Sequence, residues 1–160
     1  MLDSKGFDLW ADGYDKSVRL SEEENTYPFA GYKRVLGSIY NTIRSGEGTR
    51  VLDVGFGTGI LAKRLYDEGY SITGIDFSER MIAAAREKMP EARLIRHDFS
   101  HGLPDSLKDR TFDFIVCTYA IHHLEDRQKI AFIAELTERL TAAGKLLVGD
   151  VAFSTAAALE

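Results

Sequence analysis

From Arg50 onward, short β-rich runs alternate with longer stretches in which apolar residues recur every three or four positions. That alternation predicts βα units arranged around a parallel sheet. Strands are expected at Arg50 to Val54, Ser71 to Ile75, Arg93 to Arg96, Phe112 to Cys117 and Lys145 to Val151. A first helix should begin near Gly59, carry Leu61 and Leu65 one turn apart, and stop at Gly69. A second should be capped by Ser78, carry Met81, Ile82 and Ala85, and be closed by Pro90. A third should run from Arg127 to Leu140, where Phe132, Leu136 and Leu140 fall four apart, with Gly144 as its terminator. Before Gly46, the stripe Val35, Leu36, Ile39, Tyr40 and Ile43 predicts an N-terminal helix packed over the sheet or its crevice. Asp105 to Arg110 is a polar, turn-rich connection.

No repeat, low-complexity tract or linker divides the chain, and 160 residues is the size of one domain. Apolar residues make up 44% and charged residues 28%, a composition that excludes disorder as the main state. The formal charge of −5 makes nucleic acid a poor partner. A single cysteine, Cys117, excludes an intramolecular disulfide and a multi-cysteine zinc site, and fits a reducing, cytoplasmic setting. The acidic start (Asp3, Asp8, Asp12, Asp15) is unlike a secretory signal, and the longest uncharged apolar run, Phe114 to Ile121, is too short to span a bilayer. No membrane association is expected.

The most informative segment is Asp53-Val-Gly55-Phe-Gly57-Thr-Gly59, between a predicted strand and a predicted helix. A dinucleotide fingerprint needs glycine three places after its second glycine, where Ile60 stands, and a triphosphate loop needs Gly-Lys-Ser or Gly-Lys-Thr. Neither is present. What remains is a tight turn with an acid before it, suited to a ligand presenting an ammonium or another donor, or else an ordinary strand-to-helix turn. Asp76 ends the second strand, where a carboxylate can accept both hydroxyls of a ribose, and Ser78 already supplies the next helix cap. Asp98 follows the third strand, and with Phe99 beside it would suit adenine, although Asp-Phe alone also reads as a loop dipeptide.

This ordered series resembles the class I S-adenosylmethionine-dependent methyltransferases. The likeness runs from about Phe7 to Asp150 and rests on Val51-Leu-Asp-Val-Gly-Phe-Gly-Thr-Gly59, Ile72-Thr-Gly-Ile-Asp76-Phe-Ser, His97-Asp98-Phe99 and Phe112-Asp-Phe-Ile-Val-Cys-Thr-Tyr-Ala-Ile-His-His-Leu124. It implies an α/β, Rossmann-like, doubly wound sheet with helices on both faces. It implies S-adenosyl-L-methionine as cofactor, held by Asp53, Gly55, Gly57, Gly59, Asp76, Phe77, Met81, Asp98, Phe99, Thr118 and Tyr119. By the same likeness Cys117 to Ala120 lie beside the methyl sulfonium, and Phe7 to Asp15 looks like the lid of small-molecule methyltransferases, with Tyr14 helping to close the site. The chain then divides into a lid (1–46), a cofactor-binding core (47–154) and a tail (155–160).

In-line transfer from a sulfonium needs alignment and desolvation more than a nucleophile, and a base only if the acceptor must lose a proton. His122, His123 and Tyr14 are the catalytic candidates. Either histidine can take that proton, or the pair can simply hold the loop by hydrogen bonds. Tyr14 and Tyr119 can face the sulfonium or pack at the crevice. Asp150 can face the acceptor or cap the segment after it. The adjacent histidines lack metal-ligand spacing, so no metal is expected. Cys-Thr-Tyr-Ala at the fourth strand's exit lacks the Pro-Pro-aromatic segment of methyltransferases acting on planar amino groups, which favours a small-molecule acceptor. The family sheet continues past a fifth strand, so strands six and seven are expected to be missing and the open edge suggests a homodimer. A non-catalytic cofactor-binding module is the alternative reading.

Overall fold

The computed structural model describes residues 32–150. Along the chain lie α1 (Tyr32–Ser45), β1 (Arg50–Val54), α2 (Ile60–Asp67), β2 (Ser71–Asp76), α3 (Glu79–Lys88), β3 (Arg93–Arg96), β4 (Phe112–Thr118), α4 (Asp126–Glu138) and β5 (Leu140–Gly149), with short 3-10 turns at Phe99–His101, Asp105–Leu107 and Ile121–His123. The strands form one parallel sheet in the order β3-β2-β1-β4-β5. The chain therefore winds outward from β1 in both directions, and the crevice of such a sheet opens at the carboxyl ends of β1 and β4.

Alternation along the strands divides the core in two. Val51, Ile72, Leu94, Phe114 and Val116 pack under α1, α2 and α3, while Leu52, Val54, Ile75, Ile115 and Cys117 pack with Phe132 and Leu136 of α4. The N-terminal stripe behaves as its spacing predicts: Leu36, Ile39, Tyr40 and Ile43 are buried and Val35 is partly buried. Ser78 caps α3 by accepting the Met81 N–H at 3.4 Å.

Two expectations about the last strand are corrected. The third predicted helix ends at Glu138 rather than Leu140, and β5 begins at Leu140 rather than Lys145, so Gly144 lies inside a strand instead of ending a helix. The β4–β5 register slips between Phe112 and Phe114, which face Leu140 and Lys145. This irregularity turns Phe112 to the α4 side although Phe114 packs on the other. Gly144 is required because a Cβ there would stand 3.0 Å from the Phe112 carbonyl oxygen and from the Thr141 backbone. Asp113 fastens the irregular stretch by accepting from Thr49 N, Arg50 N and Thr141 Oγ1. Those donors hold its carboxyl below the usual carboxylate range. Among the described residues β5 pairs on one side only, and no helix is long and apolar enough to cross a membrane.

Gly74 serves the site from below. The Phe56 ring rests on it so closely that a Cβ would lie 2.7 Å from Phe56 Cδ1 and 3.2 Å from Leu94 Cδ2. Overpacking of this kind costs about 1–3 kcal/mol. Gly74→Ala should lose that much in a urea melt, and an unchanged midpoint would show that Phe56 moves freely aside.

Candidate functional site

The chain leaves β1 through a turn in which Gly55, Gly57 and Gly59 all have positive φ (67°, 58° and 77°), a region that residues with a Cβ rarely adopt. The turn is pinned from β2: Gly55 N–H donates to the Ile75 carbonyl at 2.7 Å, and Gly57 N–H donates to Asp76 Oδ2 at 3.0 Å. The other oxygen of Asp76 accepts the Ser78 N–H at 2.9 Å. One carboxylate thus holds both the glycine turn and the entry to α3. Each of its oxygens keeps a further lone pair for a ligand hydroxyl.

Asp53 lies deeper. It stands on the same sheet face as Val51, is 3% exposed, and its Oδ1 has no hydrogen-bond partner among the described residues. Burial first, and then the nearby Asp76 carboxylate, raise its pKa to about 7.

Above the strand ends a cavity of about 340 Å³ is lined by the glycine turn, Asp76, Met81, Phe99 and the β4 exit at Thr118 to Ala120. A neighbouring cavity of about 730 Å³ is lined by Phe77, Arg96, Asp98, Phe99 and His123, among others, so Phe77, Phe99 and His123 border both. Among the described residues, no lysine or arginine lines the cavity over the glycine turn.

The β4 exit is under backbone strain. Tyr119 has φ 52°, the only positive φ outside glycine among the described residues, and its N–H donates to the Gly149 carbonyl at 2.7 Å. Conformations of this kind cost on the order of 1–3 kcal/mol and gather at functional sites. His122 follows, with its backbone N–H donating to Asp150 Oδ2 at 2.9 Å and its Nδ1 lying 2.5 Å from Asp150 Oδ1.

A family model described as a methyltransferase domain matches residues 51–144. A protein of Geobacillus sp. (strain WCH70), called an uncharacterized methyltransferase, is 41% identical over 148 residues, covering 92% of this chain and 66% of the relative. The chain belongs to the class I S-adenosylmethionine-dependent methyltransferases. An uncharacterized methyltransferase of Alkaliphilus oremlandii (strain OhILAs) is 34% identical over 149 residues, 93% of this chain and 67% of that one. The chain thus spans about two thirds of the length of both relatives. The fold is shared with CalS10 of Micromonospora echinaspora, an amino pentose methyltransferase solved with S-adenosylmethionine (TM-score 0.70, 23% identity, 90% of this chain and 58% of that one).

Within this methyltransferase domain, Gly55, Gly57, Asp76, Phe77, Met81, Asp98, Phe99, Thr118 and Tyr119 all line one or other cavity, as does His123. Asp53 does not line them but lies buried below. Gly59 is the left-handed residue that opens α2. Cys117, expected near the transferred group, packs into the core on the α4 side, with its thiol pushed up to about 12 by burial. Phe99 is buried and stacked on Phe132 at 5.4 Å, so the aromatic ring standing open at the crevice is Phe77, at 65% exposed. Asp98 caps the 3-10 turn by accepting the Ser100 N–H at 3.0 Å, which holds its carboxyl below the usual carboxylate range. Tyr14 lies outside the described residues. Arg96 carries no signal in the sequence; its Nε donates to the Phe77 carbonyl at 3.3 Å and so anchors the rim.

Proposed function

We propose that this chain binds S-adenosyl-L-methionine in the crevice over the glycine turn and transfers its methyl group to a small-molecule acceptor. The observation that carries this reading is the pairing of a left-handed glycine turn with Asp76 at a cavity whose described lining holds no lysine or arginine, above the buried Asp53, whose Oδ1 has no hydrogen-bond partner among the described residues. Bringing two carboxylates together with no cationic side chain in that lining is unfavourable in itself, and a ligand carrying an ammonium and a sulfonium relieves it.

In this reading Gly55, Gly57 and Gly59 give the methionine portion access to the backbone, with Asp53 beneath them as the anionic floor. Asp76 accepts the ribose hydroxyls with the lone pairs its two backbone bonds leave over. Phe77 and Met81 flank the adenosine, Asp98 accepts from the adenine amine, and Phe99 closes the base of the cavity. Thr118 and Tyr119 border the reacting end. When bound, S-adenosylmethionine supplies a methyl carbon already activated by positive sulfur. The chain's own contribution is orientation and exclusion of water, effects worth about 7–11 kcal/mol for well-aligned reactants. His122, His123 and Tyr14 are assigned to the acceptor side.

Calorimetric titration with S-adenosylmethionine and with S-adenosylhomocysteine should show saturable one-to-one binding, and the absence of heat with both rejects the proposal. A panel of metabolite-sized amines, phenols and thiols, read by S-adenosylhomocysteine release, then tests transfer. Binding without release on any member favours a non-catalytic cofactor-binding module.

A further inference from the structure

We propose that Asp150 positions the His122 imidazole as the group that receives the acceptor's proton, the two forming a carboxylate–imidazole dyad on the β5 side of the crevice. The inference rests on the methyltransferase reading above. Asp150 directly follows β5 and is 28 residues from His122. Its two oxygens go to two different atoms of that one residue: Oδ2 to the backbone N–H and Oδ1 to ring Nδ1. A carboxylate that served only to cap the turn would need the first contact alone. The second has a chemical consequence, because an ionised carboxylate only accepts hydrogen bonds, so Nδ1 of the neutral ring carries the hydrogen and Nε2 is left with its lone pair.

The surrounding backbone holds this arrangement in place. Tyr119 N–H to Gly149 O ties the same two strand ends one step earlier, through the strained φ of Tyr119. The side chain of Asp150 is 12% exposed while that of His122 is 37% exposed, so the carboxylate is sheltered and the imidazole remains accessible. The His123 ring lies 4.1 Å from that of His122, tilted by 42°, and borders both cavities. The two histidines thus divide the β4 exit: among the described residues His123 borders both cavities, whereas His122 lines neither and is turned to Asp150 at the end of β5, the side to which we assign the acceptor.

The step balances without any further reactant. The acceptor's heteroatom forms its bond to the methyl carbon as the carbon–sulfur bond breaks, and sulfur keeps that electron pair as a thioether. The proton on the heteroatom passes to His122 Nε2, and the resulting imidazolium is held by Asp150 until water removes the proton. His122 is the catalytic residue and Asp150 the positioning residue.

The tautomer can be read without an acceptor. In ¹⁵N-histidine spectra of the full chain near neutral pH, neutral His122 should show a protonated Nδ1 and a bare Nε2, and Asp150→Asn should shift the population toward the Nε2–H form. On a panel acceptor that wild type methylates, Asp150→Asn should lower kcat about 100-fold. It should also displace the limb of the pH profile that belongs to the base, with the KM for S-adenosylmethionine unchanged. A purely structural clamp would lower the melting temperature and leave that limb where it stands in wild type. A wild-type His122 protonated on Nε2, or a variant with an unaltered pH profile, overturns the proposal. Loss of S-adenosylhomocysteine binding by wild type would instead overturn the reading on which it rests.

Discussion

Replacing Asp53 by asparagine should remove a loss of stability that the wild type suffers as the pH rises from about 4 to about 7. In the unfolded chain this carboxyl titrates at its ordinary value of 3.8, and in the folded chain at about 7. Between those values the folded state holds a proton that the unfolded state has released, so stability falls as pH rises from about 4 to about 7 and then levels off. Below the lower value the group opposes folding no more than a neutral side chain. Above the upper one, an ionised carboxylate is buried with one oxygen unpartnered. Three pH units correspond to about 4 kcal/mol in all. From pH 5 to pH 8, urea melts should therefore show the stability difference between Asp53→Asn and wild type widening in the variant's favour by about 3 kcal/mol. Asparagine carries its own desolvation cost, but that cost is the same at both pH values and leaves the widening intact. Parallel stability curves for the two proteins would show that the carboxyl is solvated or paired. In the proposed reading Asp53 is the anionic floor beneath the methionine portion, so the same variant should bind S-adenosylhomocysteine more weakly at pH 8.

Much of this fold is legible in the chain because the strands of a doubly covered sheet are apolar on both faces. Val51, Leu52 and Val54 are all buried, as are Phe114, Ile115, Val116 and Cys117, and such continuous runs between turn residues stand out. The fifth strand reads five residues late for a physical reason. Phe132, Leu136 and Leu140 keep a four-residue spacing past the true helix end, so periodicity alone extends the helix. Gly144 completes the illusion: it answers a close approach to the Phe112 carbonyl, whereas the pattern presents it as a helix terminator.

Within the site, the glycine turn and Asp76 are readable because the unusual φ angles and the strand-end carboxylate belong to short, contiguous segments. Depth is not. Nothing in the spacing tells that Asp53 lies beneath the cavity while Asp76 borders it, or that Phe99 is already engaged by Phe132. The contact of His122 with Asp150 joins β4's exit to β5's end and exists only once the sheet has placed those strands side by side.

Asp76→Ala should weaken binding of S-adenosylhomocysteine at least tenfold, or about 1.4 kcal/mol. Two separate losses contribute, since the carboxylate both restrains the glycine turn through Gly57 N–H and Ser78 N–H and is assigned to the ribose. A thermodynamic cycle with the 2′-deoxy analogue of S-adenosylhomocysteine separates them. If Asp76 bonds the hydroxyl, wild type should discriminate between the two ligands by roughly 1.5–3 kcal/mol, as expected for a hydrogen bond to a charged group, and the variant should scarcely discriminate. If Asp76 acts only through the turn, both ligands should weaken equally in the variant and the discrimination should persist. Equal affinity of wild type for the two ligands would show that Asp76 does not bond the 2′-hydroxyl, and the 3′-deoxy analogue then tests the other. The turn itself reports independently: the left-handed φ of Gly57 is held by this anchoring bond, so Asp76→Ala should also speed amide exchange at Gly57 and Ser78 in the ligand-free protein. Affinity and exchange together distinguish a carboxylate that touches the ligand from one that only shapes the backbone around it.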